Sequence, residues 1–222
     1  MLIHEVRIPA GRFELEGVLS VPTDASGIVI FAHGVGSSRH SPRNKYVALR
    51  LNTGGVATLL IDLLTFEEER DELTHPMYTD IGLLSNRLVQ ATDWVSHDVR
   101  CKHLPLGYFG ASTGAAAALT AAAQLGRSIK AIVTRSGRPD LALDMLHKVT
   151  SPTLLIVGQL DTEALRINRQ AIAHLTCKKD LQMVPRARHL FEEPGALDAV
   201  AKMAKDWFVL HFEISALVRA SS

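Results

Sequence analysis

Hydrophobic positions along the chain fall into two alternating textures. Short apolar or β-branched runs are separated by longer stretches in which apolar residues return every three or four positions. That alternation predicts a parallel sheet with crossover helices. The runs at 27–32 (GIVIFA), 56–61 (VATLLI), 104–109 (LPLGYF), 129–134 (IKAIVT), 152–158 (PTLLIVG) and 180–184 (DLQMV) are apolar almost without alternation, so both faces of these strands are expected to be covered. Helices are predicted at about 42–53, 78–97, 113–125, 140–147, 162–175 and 195–212. In the last of these, Leu197, Val200, Ala204, Trp207 and Phe208 form an apolar stripe that reads as core. The opening differs: 3–8 (IHEVRI) and 13–21 (FELEGVLSV), separated by Pro9, Ala10 and Gly11, predict an antiparallel hairpin at one sheet edge.

No Pro/Gly/Ser linker and no fixed-period repeat divides the chain, so its 222 residues are expected to form one α/β domain over 1–222. The alanine-rich stretch 115–123 reads as close packing of a helix on the sheet, and the acidic cluster Glu67, Glu68, Glu69, Asp71 and Glu72 as a solvated loop or helix start. With 47% hydrophobic and 21% charged residues, disorder, collagen and coiled coil are excluded. Lys+Arg 24 against Asp+Glu 23 leaves no overall field toward nucleic acid or an anionic membrane, and neither is expected as a partner. Glu5, Arg7, Arg12, Glu14 and Glu16 interrupt any signal-peptide core, and no run approaches the ~18 apolar residues of a membrane span, which points to the cytoplasm. Cys101 and Cys177 form no CxxC pair and are expected to be free thiols in a reducing compartment.

Chemistry concentrates at Gly110-Ala111-Ser112-Thr113-Gly114, which follows the run LPLGYF and precedes a helix-forming stretch. This is G-x-S-x-G in the setting it requires, a sharp strand-to-helix turn that lifts a serine hydroxyl above the sheet. Ser112 is therefore the candidate nucleophile. A serine needs a base, and the base needs an orienting acid. His147, His174 and His211 fall inside predicted helices, whereas His189 follows the strand DLQMV and the loop 185–188, at a strand end from which it can reach the serine. Asp161, three residues beyond the glycine that ends PTLLIVG, is the candidate acid, with Asp140 and Asp144 as rivals. The order Ser112, Asp161, His189, with gaps of 49 and 28 residues, is the chain order of α/β-hydrolase triads. An oxyanion site is expected where GIVIFA runs into His33-Gly34-Val35-Gly36. Val35 is the first choice for one backbone donor, Gly36 its reserve, and Thr113 the second donor. His33 lies before Ser112 in the chain and reads as a loop brace.

Taken together, HGVGSSRHSPRN, DLLTFEEE, GASTG, GQLD and ARHLFEEPGAL resemble the small dienelactone-hydrolase-like group of α/β-hydrolases over almost the whole chain. The resemblance implies the α/β-hydrolase fold, a mostly parallel doubly wound sheet, and hydrolysis of a small acyl substrate without a cofactor. Members of the group without a known substrate are sometimes fused to or found near phosphoribosyltransferases. Dienelactone hydrolases proper use a cysteine nucleophile, and here the elbow residue is Ser112.

Only 135–139 and a short helix separate IKAIVT from the next strand, so no large lid is expected there, and the site should suit small soluble substrates. Gly34, Gly36, Arg39 and Arg135 are the candidates to contact substrate. Arg43, Arg138, Arg186 and Arg188 also fall at the carboxyl ends of strands, where arginine can grip a carboxylate or phosphate. Three other readings compete. Nucleotide binding fails because G-x-G-x-x-G would need glycine at Arg39 and no P-loop is present. His97, Cys101 and His103 lack a zinc spacing, so no metal is expected. A non-catalytic interaction protein that kept the fold would have no use for Ser112, Asp161 and His189 together.

Overall fold

The computed structural model describes residues 2–34, 36–71 and 79–220. Eight strands form one sheet in the order β1-β2-β4-β3-β5-β6-β7-β8. They are β1 (Leu2–Ala10), β2 (Phe13–Val21), β3 (Gly27–Ala32), β4 (Val56–Ile61), β5 (Leu106–Ala111), β6 (Ile129–Arg135), β7 (Thr153–Gly158) and β8 (Lys179–Val184). β1 pairs antiparallel with β2 and β2 antiparallel with β4, while every other pairing is parallel. This is the doubly wound α/β-hydrolase sheet with an antiparallel N-terminal hairpin that the hydrophobic pattern and the resemblance predict.

Helices α1 (Pro42–Thr53) and α7 (Ala196–Ala220) cover one face. On the other lie α3 (Ile81–His97) and α4 (Thr113–Leu125), with α5 (Leu143–Leu146) and α6 (Thr162–Ile172) beside them. β3, β4, β5 and β7 are buried along their whole length, because helices flank them on both sides. β8 departs from the expectation of two covered faces: it is the last strand of the sheet, and only Val184 is buried. β1 runs through Pro9 to Ala10, two residues further than predicted. As an edge strand it tolerates a residue with no N–H to give, and the reversal falls on Gly11 at φ +66°.

Two further boundaries move for local reasons. β5 begins only after Pro105, whose carbonyl accepts the Ile28 N–H at 2.9 Å, so Gly110 and Ala111 belong to the strand. α7 continues past its last buried aromatic, Phe212, through a stretch with no glycine or proline to stop it. The predicted helix start at 78 lies outside the described residues, and α3 opens at Asp80, whose side chain caps the Leu83 N–H at 2.9 Å. The acidic cluster opens a short helix, α2 (Phe66–Asp71), yet it is not all solvated: Glu68 grips the buried Arg87 with two 2.6 Å bonds. Among the described residues no helix is long and apolar enough to cross a membrane.

The order β4-β3-β5 places the site. The chain leaves β3 through α1 on one face and leaves β5 through α4 on the other, so the carboxyl ends of β3 and β5 border the crevice in which open α/β sheets bind ligands. Ala115, Ala116, Ala117, Ala118, Ala121 and Ala122 of α4 are all fully buried, and their small side chains let that helix settle close to the strands.

Candidate active site

Ser112 sits at the end of β5 with φ 52° and ψ −125°, a left-handed backbone that costs a non-glycine residue on the order of 1–3 kcal/mol. Its neighbours hold it there. The Ser112 carbonyl accepts N–H groups from Ala115 at 3.1 Å and Arg138 at 3.0 Å, and the Ser112 N–H points to the Arg135 carbonyl at 3.4 Å. The flanking glycines of the motif are required by contact. A Cβ on Gly110 would stand 2.5 Å from the Ala115 Cα, and one on Gly114 would collide with the Ala32 carbonyl. The first turn of α4 therefore rests directly on the end of β3.

His189 and Asp161 stand at the same edge of the sheet. Asp161 follows β7 and caps α6, accepting the Ala164 N–H at 3.3 Å through Oδ1. Its Oδ2 lies 2.6 Å from His189 Nδ1. Asp161 is largely sheltered at 12% side-chain exposure, whereas His189 is half exposed at 51%. A proton on Nδ1 facing the carboxylate leaves Nε2 as the basic nitrogen. Among the described residues no hydrogen bond joins Ser112 Oγ to His189, whose hydrogen-bond partner is Asp161. The rival acid Asp140 is engaged elsewhere: Arg138 holds both its oxygens, at 2.9 and 2.7 Å.

The loop after β3 passes against Ser112. A Cβ on Gly34 would lie 2.7 Å from the Ser112 Cβ and 3.2 Å from Oγ, so only glycine fits without displacing the elbow. Thr113 opens α4, and its N–H is among the four at a helix start that have no intrahelical partner. Gly36 turns the loop at φ +66°, and Ser37 N–H donates to the Gly34 carbonyl at 3.2 Å. Val35 lies outside the described residues. His33 is a buried brace: Nδ1 is 3.1 Å from the Gly34 carbonyl and Nε2 is 3.2 Å from Asp62 Oδ1. Burial pushes the Asp62 carboxyl up, but hydrogen bonds from His33 and from the Arg39 backbone and side chain outweigh it and hold the group below its ordinary value.

A dienelactone hydrolase from Anabaena variabilis superposes with a TM-score of 0.92 at 53% sequence identity, covering 95% of this chain and 98% of that one. The chain belongs to the dienelactone-hydrolase-like α/β-hydrolases. Est1E from Butyrivibrio proteoclasticus shares the fold at 16% identity and a TM-score of 0.80, over 94% of this chain and 99% of that one. No family model matches. Curated proteins from two strains of Mycobacterium tuberculosis, both carrying a phosphoribosyl-transferase name, are 53% identical over 208 residues, 94% of this chain. The chain spans about half their length, 46%.

Within this dienelactone-hydrolase-like site, the two arginines singled out from sequence meet different fates. Arg39 bonds Asp62 through both its backbone and its guanidinium and reaches Glu16 Oε2 at 2.5 Å, so its charge is already answered. Those residues line a cleft of about 680 Å³ between the β1–β2 turn and the loops after β3 and β4, which Ser112, Asp161 and His189 do not line. Arg135 is buried at the end of β6, and among the described residues no carboxylate pairs with it. Sequence reasoning missed Asp62, Asn44 and the Arg138 N–H. Asp62 alone carried a signal, an aspartate directly after a fully apolar strand.

Proposed function

We propose that the chain hydrolyses small acyl substrates, carboxylic esters first and thioesters or lactones by the same parts, with Ser112 as nucleophile. The observation that carries this reading is the 2.6 Å contact of Asp161 Oδ2 with His189 Nδ1 at the sheet edge where Ser112 stands on its strained elbow. Ser112 Oγ attacks the acyl carbon while His189 Nε2 takes the hydroxyl proton, and Asp161 steadies the resulting imidazolium. The oxyanion is received by the Thr113 N–H and an N–H of the loop after Gly34, from Val35 or Gly36. Each such donor lowers the barrier by roughly 2.7–4 kcal/mol. Collapse of the tetrahedral species passes the proton to the leaving alcohol and leaves an acyl-Ser112. Water, deprotonated by His189, then releases the acid and restores the serine.

A small-molecule substrate fits the short β6–β7 connection, which holds only a turn of 3-10 helix (Pro139–Ala142) and α5. A single domain over 1–222 and a cytoplasmic location belong to the same reading, the latter supported by two free cysteines. Labelling with a fluorophosphonate, alongside turnover of short-chain p-nitrophenyl esters, tests the assignment. Wild type should label and turn over and Ser112→Ala should do neither. A folded wild type that does neither would overturn the reading.

A further inference from the structure

We propose that Glu193 is a positioning residue for His189: its carboxylate holds the loop that carries the base and so keeps the imidazole turned toward Asp161. The inference rests on the hydrolase reading of that site. His189 stands on the connection between β8, the last strand of the sheet, and α7, and its ring is half exposed. Asp161 meets the ring at Nδ1, so a single contact fixes its place and the backbone beneath must fix its direction. That backbone is strained on both sides. Arg186 has φ 59° and Phe191 has φ 55°, left-handed values that are costly for residues with a Cβ and persist only where the surroundings over-determine them.

Neutral contacts hold the outer parts of the loop. Gln159 Oε1 accepts the Arg186 N–H at 3.0 Å, the Ala187 carbonyl accepts the Leu160 N–H at 2.9 Å, and Phe191 is buried in the core that α1 and α7 form with the sheet. The residue directly before the base is held differently. The Arg188 N–H donates to both carboxylate oxygens of Glu193, at 3.1 and 3.2 Å, while the Arg188 carbonyl receives the Phe191 N–H at 3.3 Å. Bonds to an ionised acceptor are roughly twice as strong as neutral ones, which makes this the firmest grip on the main chain beside His189. Glu193 is anchored in turn: its carbonyl accepts the Ala196 N–H at 2.9 Å where α7 opens, and Ala196 is buried. Among the described residues both hydrogen bonds of its carboxylate go five residues back to Arg188, so the side chain serves the loop and does not cap the helix. Its neighbour Glu192, 69% exposed and 3.8 Å from Arg43, makes only the loose contact of a surface ion pair. Glu193 thus ties the backbone of the base to the root of a 25-residue helix packed on the sheet. A glutamate that merely closed a surface loop would affect stability and leave the kinetics alone.

Two variants separate the grip from the charge. Glu193→Ala removes the acceptor, whereas Glu193→Gln keeps an acceptor oxygen at the same reach. On p-nitrophenyl acetate Glu193→Ala should lose about tenfold or more in kcat with KM within about twofold of wild type, the pattern of a displaced base. Glu193→Gln should restore kcat to within about threefold of wild type, because one hydrogen bond to the Arg188 N–H is re-formed. Glu193→Asp, one methylene shorter, gives a second route to the loss should Glu193→Ala not fold. The ring can also be read without turnover. With carbon-13-labelled histidine, the His189 Cε1 signal, assigned by its absence in His189→Gln, should shift or broaden in Glu193→Ala and return in Glu193→Gln, while the other histidine signals stay in place. A folded Glu193→Ala with a smaller loss in kcat, a loss carried by KM, an unmoved His189 signal, or a Glu193→Gln as slow as Glu193→Ala would each overturn the proposal. Fluorophosphonate labelling of wild type in parallel keeps the two readings apart: absent labelling defeats the nucleophile, and the His189 signal still decides the clamp.

Discussion

The carboxylate of Asp161 is shared between a helix and an imidazole: Oδ1 caps α6 through the Ala164 N–H, and Oδ2 meets His189 Nδ1 at 2.6 Å. Asparagine can keep the cap but presents the wrong partner to the ring. Asp161→Asn should therefore lower kcat on p-nitrophenyl esters by roughly 10⁴-fold, by analogy with the same change in serine proteases, while its melting temperature stays near that of wild type. Asp161→Ala should lose the activity and in addition about 1 kcal/mol of stability. An asparagine variant with kcat within tenfold of wild type would remove Asp161 from the triad.

Gly34 faces the Ser112 Cβ at a distance that leaves no room for a methyl group. Gly34→Ala must displace either the loop after β3 or the elbow, and a displacement of about 1 Å costs on the order of 10²-fold in rate. Steady-state kinetics should show that loss mainly in kcat. Ordinary kinetics in Gly34→Ala would mean that the loop does not approach the reacting carbon.

Asp62 gathers His33 and Arg39 around one sheltered carboxylate. Its folded value lies below its ordinary one, so its stabilising contribution is present above about pH 4 and disappears as pH falls through the lower folded value. Asp62→Asn should cost on the order of 3 kcal/mol near neutrality, as expected for breaking a buried pair. Urea denaturation of both proteins at about pH 7 and about pH 3 should show that difference shrinking on the acid side; a difference independent of pH would refute the assignment.

Cys101 is buried, and its thiol is pushed up to about 12 by burial first and by the Asp98 carboxylate second. At about pH 8 it stays protonated and unreactive. A thiol reagent should modify the partly exposed Cys177 well before Cys101, and both should react at once in urea.

Much of this was legible in the residues. The parallel strands, the hairpin and the helices at 42–53 and 113–125 follow from hydrophobic period alone, because each apolar run is long enough to need cover on both faces. Ser112, Asp161 and His189 could be picked out because each stands just beyond a strand end, and strand ends are visible in the pattern. What the sequence concealed depends on three-dimensional company. Arg39 and Arg135 look alike as loop arginines, yet one meets two carboxylates and the other meets a second arginine. Glu68 looked solvated because its partner Arg87 is 19 residues away. The edge position of β8 depends on strand order, which period cannot reveal.

Where α4 begins, peptide touches peptide: Gly114 leaves no side chain between the helix and the end of β3, and Gly34 leaves none between the loop and the serine. The spacing from Ser112 to the loop after β3, and from the first turn of α4 to the end of β3, is thus gauged at positions where no side chain intervenes. Changes in the surrounding loops can reshape what enters the crevice while this gauge keeps its length, so specificity and reactivity are free to drift apart.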